Sequence, residues 1–137
     1  MATDIAADTV VPIHSAVDIV AARQQGRTLA ARLGFSGSDL TLIATAISEV
    51  ARNIVEYAGS GEIRLSPVQE GNGLGICVIA HDTGPGISDV DKALQDGYST
   101  QKGLGLGLPG ARRLVDEFEL VSAVGKGTTV IMRKWLP

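Results

Sequence analysis

Glu49 and Asn53 stand four residues apart in a segment with helical apolar spacing. They therefore project side by side from one helix face, at the edge of its apolar stripe. A carboxylate beside a carboxamide can position a nucleophile and bind a hard cation. Glu56 continues the stripe, and a solvated helix edge would carry the same residues. Asp82 opens the run Asp82-Thr83-Gly84-Pro85-Gly86, directly after the candidate strand 74–81. At a strand end, where ligands commonly bind, an aspartate can accept a hydrogen bond from an exocyclic amine. Gly84 and Gly86 would let backbone approach a flat ring, although a plain Pro-Gly turn is the alternative. Gly103, Gly105, Gly107 and Gly110 lead into a third helical segment. Backbone N–H groups at a helix N-terminus form an anion site, and glycine lets phosphate oxygens close to them. Residues 105–110 spell G-x-G-x-x-G, but the polar run 96–102 before it is not the apolar strand a dinucleotide fingerprint needs. No Walker A spacing is present either. Thr128 follows Gly127 and could hydrogen-bond a base directly or through water, though alone it reads as a turn residue. His14 and His81 belong to no Cys/His set with metal-ligand spacing. His81 precedes Asp82 in its strand and so faces the opposite way. Cys77 reads as a small core residue.

The elements that hold these residues follow from periodicity. Residues 9–14 are β-branched and predict an edge strand, with Pro12 keeping it at the edge. A broken stripe over 18–33 predicts a helix capped by Gly34. The strongest stripe, Leu40, Ile43, Ile47, Val50 and Ile54, predicts a second helix, capped by Ser36 or Ser38 and running to about Tyr57. Strands follow at 62–68 and 74–81, joined by a polar turn containing Gly71, Asn72 and Gly73. The continuous apolar run 76–80 suggests a central strand buried on both faces. A short helix is expected within 89–97, a glycine-rich loop over 98–107, and a third helix over 108–118 with Pro109 in its first turn. Two last strands span 119–124 and 128–135. Strand pairs flanked by helices predict an α+β chain, a two-layer α/β sandwich in which a mixed, mostly antiparallel sheet carries three helices on one face.

Composition narrows the function classes. The 137 residues fit one domain, 1–137, with residues 1–8 frayed. Twelve basic against fifteen acidic residues leave a net charge of −3, which argues against nucleic acid, as does the 4% aromatic content. One cysteine cannot form an internal disulfide. No basic-then-apolar leader and no membrane-length apolar run are visible, so a cytoplasmic protein is expected. Seventeen glycines among 137 residues exceed the usual share of about 7%. They gather at 84–86 and 103–110, where the candidate chemistry lies.

Taken in order, the four segments resemble the boxes of the Bergerat ATP-binding fold, shared by the gyrase, Hsp90, histidine kinase and MutL families. Residues 46–53 (AISEVARN) look like its N box, 82–86 and 103–110 like its two glycine boxes, and 125–128 (GKGT) like its closing Gly-Thr motif. The other branches add a domain carrying a catalytic lysine, or a dimerisation helix pair carrying a phosphoacceptor histidine, for which 137 residues leave no room. The stretches 46–59, 96–100, 105–118 and 133–136 are similar to the single-domain, RsbT-type serine/threonine switch kinases of the bacterial stressosome. This resemblance implies that ATP is bound with Mg²⁺, and that Asn53 is the ion's protein ligand. Asp82 would read the adenine amine with help from Thr128, while Gly84 and Gly86 let the base lie on backbone. Gly103, Gly105 and Gly107 would hold the phosphates, and Glu49 would be the general base. Lys102, where similar kinases have a smaller residue, is expected to touch the γ-phosphate. The implied acceptor is a serine or threonine on a STAS-domain antagonist, after which the kinase engages an effector such as a metal-dependent serine phosphatase. The alternative is an anti-sigma factor, or a non-catalytic ATP-dependent binding module of the same fold.

Overall fold

The computed structural model describes residues 8–87 and 107–137. Its elements are β1 (Thr9–Ile13), α1 (Ala16–Leu33), α2 (Ser38–Tyr57), β2 (Gly61–Glu70), β3 (Gly73–Asp82), α3 (Gly107–Leu114), β4 (Glu117–Ser122) and β5 (Thr128–Trp135). The expected helix within 89–97 and the loop before Gly107 lie outside the described residues, as do residues 1–7 of the segment expected to fray.

Helix α1 begins two residues before the expected 18. Asp18 is not its first residue but its third, and its carboxylate accepts the N–H groups of His14 at 2.8 Å and Ser15 at 3.2 Å. An acid in the first turn thus satisfies donors that the helix start would otherwise orphan. Gly34 caps the other end as expected, donating to Ala31 O at 3.1 Å. The N-cap of α2 is neither Ser36 nor Ser38 but Gly37, at φ 56°. That left-handed backbone suits glycine and strains a serine, which explains the difference. Helix α3 ends at Leu114, a turn before the expected 118. The Asp116 N–H donates to Arg133 O at 3.0 Å, so pairing with β5 takes the chain out of the helix and starts β4 two residues early.

The five strands form one sheet in the order β1-β2-β3-β5-β4, antiparallel at all four described pairings rather than mixed. The Gly71-Asn72 turn sets the β2–β3 register, Glu70 opposite Gly73. β5 enters between β3 and β4, which places Asp82 opposite Thr128.

Three helices pack on one sheet face. Ile43, Ile47, Val50 and Ile54 of α2 are buried with Ile63, Leu65, Ile76, Val78, Val130 and Met132 of the sheet. Each such side chain contributes about 1.5–3 kcal/mol through removal from water. The expected two-sided burial of β3 holds only in part. Ile76, Val78, Ala80 and Asp82 face the core, while Ile79 is half-buried and His81 exposed on the open face. Cys77 also lies on that face but is covered there, with Arg133 at its thiol.

Gly26 in the middle of α1 is buried against α2. A methyl group built there would overlap Ile47 Cδ1, so the glycine that weakens α1 locally is what lets the two helices meet closely.

Candidate active site

Helix α2 presents Glu49 toward the start of α3. Glu49 Oε1 accepts the Gly107 N–H at 3.1 Å, and Oε2 accepts Arg52 Nη1 at 3.1 Å. Gly107 is the first residue of α3, so the carboxylate accepts a backbone donor at a helix N-terminus, where negative charge is favoured. The Glu49 side chain is only 11% exposed. Its oxygens retain lone pairs beyond these two bonds, so it can still accept a proton. Asn53 follows one turn later, half-buried, with no hydrogen bond to another described residue.

The second half of the site lies at the end of β3. Asp82 is 5% exposed and Thr128 6%. Asp82 Oδ1 accepts the Gly84 N–H at 2.9 Å, and its other oxygen has no protein partner among the described residues. A buried carboxylate oxygen without a donor calls for one. Gly61 carries Asp82 up to α2: a Cβ there would stand 3.0 Å from both Asp82 Cβ and Ile54 Cγ2. Asp82 therefore borders the C-terminal part of α2, the same helix that holds Glu49 and Asn53.

The glycine loop after Asp82 is strapped to the β4–β5 turn. Gly125 donates to Pro85 O at 2.7 Å, and Ile87 N–H donates to Ser122 Oγ at 2.8 Å. Gly86 has φ 78°, and a Cβ on it would overlap Ala123 O. A Cβ on Gly84 would stand 2.6 Å from that of Ala58 at the end of α2. Both glycines thus allow a close approach of the chain's own atoms at the end of β3.

The structure brings together Glu49 with Gly107, and Asp82 with Gly84 and Thr128. Lys102, Gly103 and Gly105 lie outside the described residues. Two residues were missed. Arg52 could have been found from its opposite charge three positions after Glu49. Ser122 had no signal, because its meeting with Thr128 depends on the β4–β5 register. Among the described residues no group of three or more His, Cys, Asp or Glu could hold a metal, and no helix is long and apolar enough to cross a membrane.

A family model described as a histidine kinase-like ATPase domain matches residues 14–134. The chain belongs to that family. It is 54% identical over 119 residues to the serine/threonine-protein kinase RsbT of Bacillus subtilis (strain 168), an alignment covering 87% of this chain and 90% of the relative. It is 32% identical over 121 residues to the anti-sigma F factor of Thermoanaerobacter sp. (strain X514), covering 84% and 83%. The anti-sigma F factor of Caldanaerobacter subterraneus subsp. tengcongensis is 33% identical with the same coverage. The α+β architecture, five antiparallel strands and three helices among the described residues, is that of the family. The chain is a protein serine/threonine kinase of the partner-switching type, and its domain uses ATP.

Proposed function

We propose that the chain transfers the γ-phosphoryl group of ATP to a serine or threonine of a STAS-domain antagonist, and that the released kinase then engages an effector such as a metal-dependent serine phosphatase. The observation that carries the nucleotide half is the Asp82 carboxylate, 5% exposed and, among the described residues, bonded by one oxygen to Gly84 with the other left without a partner. An adenine amine supplies the donor it lacks, with Thr128 as neighbour. The transfer half rests on Glu49 of α2, whose carboxylate accepts the N–H of Gly107, the first residue of α3.

The donor set also fits Mg²⁺. Asn53 offers a hard amide oxygen, half-buried and without a described partner, and Mg²⁺ needs few protein ligands because it keeps waters and takes phosphate oxygens. When bound, the ion would neutralise phosphate charge. Glu49 would accept the proton of the attacking hydroxyl as that oxygen bonds to the γ-phosphorus and the bond to the ADP oxygen breaks. The α3 N-terminus, with Gly103, Gly105 and Lys102 on the chain leading to it, would hold phosphate oxygens. Such a reaction asks the protein mainly for positioning and charge compensation. The reading places the protein in the cytoplasm.

The 32–33% identity to anti-sigma F factors favours a second reading, in which the bound partner is a sigma factor. Incubating the chain with γ-labelled ATP, Mg²⁺ and a STAS-domain protein tests the first. Label on a serine or threonine of that protein is expected. Absence of label, together with co-purification of a sigma factor, would establish the second reading instead. Lys102→Ala should weaken ATP binding or slow transfer; if it changes neither, Lys102 has no place in the site.

A further inference from the structure

We propose that Ser122 fixes the hydrogen-bond polarity of Thr128 and thereby makes the base pocket select adenine over guanine nucleotides; this rests on reading Asp82 and Thr128 as the base site. Ser122 Oγ meets three polar atoms: Ile87 N at 2.8 Å, Gly127 O at 2.9 Å and Thr128 Oγ1 at 2.8 Å. A hydroxyl has one proton and two lone pairs. The Ile87 N–H can only donate, and the Gly127 carbonyl can only accept. The Ser122 proton therefore goes to Gly127 O, and the Ser122–Thr128 contact is a hydrogen bond only if Thr128 donates. One proton arrangement satisfies all three bonds.

That arrangement leaves Thr128 Oγ1 with lone pairs alone for any further partner. Asp82 stands opposite Thr128 in the β3–β5 register, and its carboxylate is an acceptor too. The two residues are 5% and 6% exposed, so a mismatched ligand atom would be left unpaired away from water. An amine edge donates into this pair of acceptors, directly or through a water. A purine carbonyl in the same place would face oxygen on both sides.

The test compares Mg²⁺ complexes of ATP, GTP and ITP by calorimetry on the full chain. Wild type should prefer ATP to both carbonyl purines. In Ser122→Ala the Thr128 hydroxyl is free to turn and donate, and the ATP-to-ITP preference should fall about tenfold, the worth of one hydrogen bond. Ser122→Thr retains the hydroxyl and should retain the preference. A merely structural role for Ser122 would weaken all three nucleotides by the same factor, and an unchanged preference in Ser122→Ala overturns the proposal. Should that variant fail to fold, Thr128→Val decides. Loss of ATP affinity with ITP unaffected supports an acceptor Thr128; an equal or larger loss for ITP overturns it. A wild-type chain that takes up no adenine nucleotide would sink the base-site reading itself, a result distinct from an unchanged preference.

Discussion

Glu49 and Asn53 sit one turn apart, and under the proposed roles their variants should separate. Glu49 contacts the α3 N-terminus and Arg52. Glu49→Ala should hold nucleotide within several-fold of wild type and lose phosphotransfer. Asn53→Ala should weaken both, because Asn53 would hold the proposed ion and the ion would neutralise phosphate charge. Titration of each variant with Mg·ATP, paired with a transfer assay, checks this; a Glu49→Ala enzyme as active as wild type would remove the base assignment. Asp82→Asn keeps an oxygen for the Gly84 N–H but can turn an amide donor toward the base. ATP affinity should drop tenfold or more, in keeping with roughly 1.5–3 kcal/mol for a hydrogen bond to a charged group. Thermal unfolding measured alongside should move little, because the turn bond survives.

At the scale of elements, the contact between α1 and α2 depends on a residue that helix propensity disfavours. Alanine at position 26 would improve α1 by up to ~1 kcal/mol in isolation. In the protein its methyl would overlap Ile47 Cδ1, and the fully buried Ile47 would have to turn aside within the core. Gly26→Ala should therefore destabilise the fold, by about 1–3 kcal/mol as overpacking usually does. Urea unfolding gives the sign directly, and a stabilised variant would show that α1 is free to shift. The loop from Asp82 to Ile87 is an element of another kind. Its shape comes from bonds to the β4–β5 hairpin, through Gly125 and Ser122, so the proposed base site would be shared by segments far apart in sequence.

At the scale of the whole molecule, the helices among the described residues cover one sheet face and leave the other without a helix. Cys77 lies on the open face yet is 7% exposed. Burial pushes its thiol above its ordinary pKa of 9.0, more than the nearby Arg133 lowers it. The neutral thiol is thus favoured in the folded chain. Its contribution is unchanged while pH stays below the unfolded value and is lost as pH rises past it, so stability should decline in alkali. Iodoacetamide at pH 8 should leave the native thiol largely unmodified and label it readily in denaturant. Rapid labelling of the native chain would mean that this face opens.

The apolar stripes of α1 and α2, the strands on either side of the Gly71 turn and the start of β5 were legible because burial leaves a local period in the residues themselves. The same locality put Glu49 and Asn53 on one helix face and Asp82 at a strand end. It could not place Gly37 over Ser36 or Ser38, since the serines carry the usual capping chemistry and only the path between the helices demands a left-handed residue. Nor could it bring Glu49 to Gly107, 58 residues on, or Ile87 to Ser122, 35 residues on. Those meetings depend on β5 lying between β3 and β4 and on α3 docking beside α2. Periodicity says which side of an element is buried; only the packed sheet and helices decide which neighbour it is buried against.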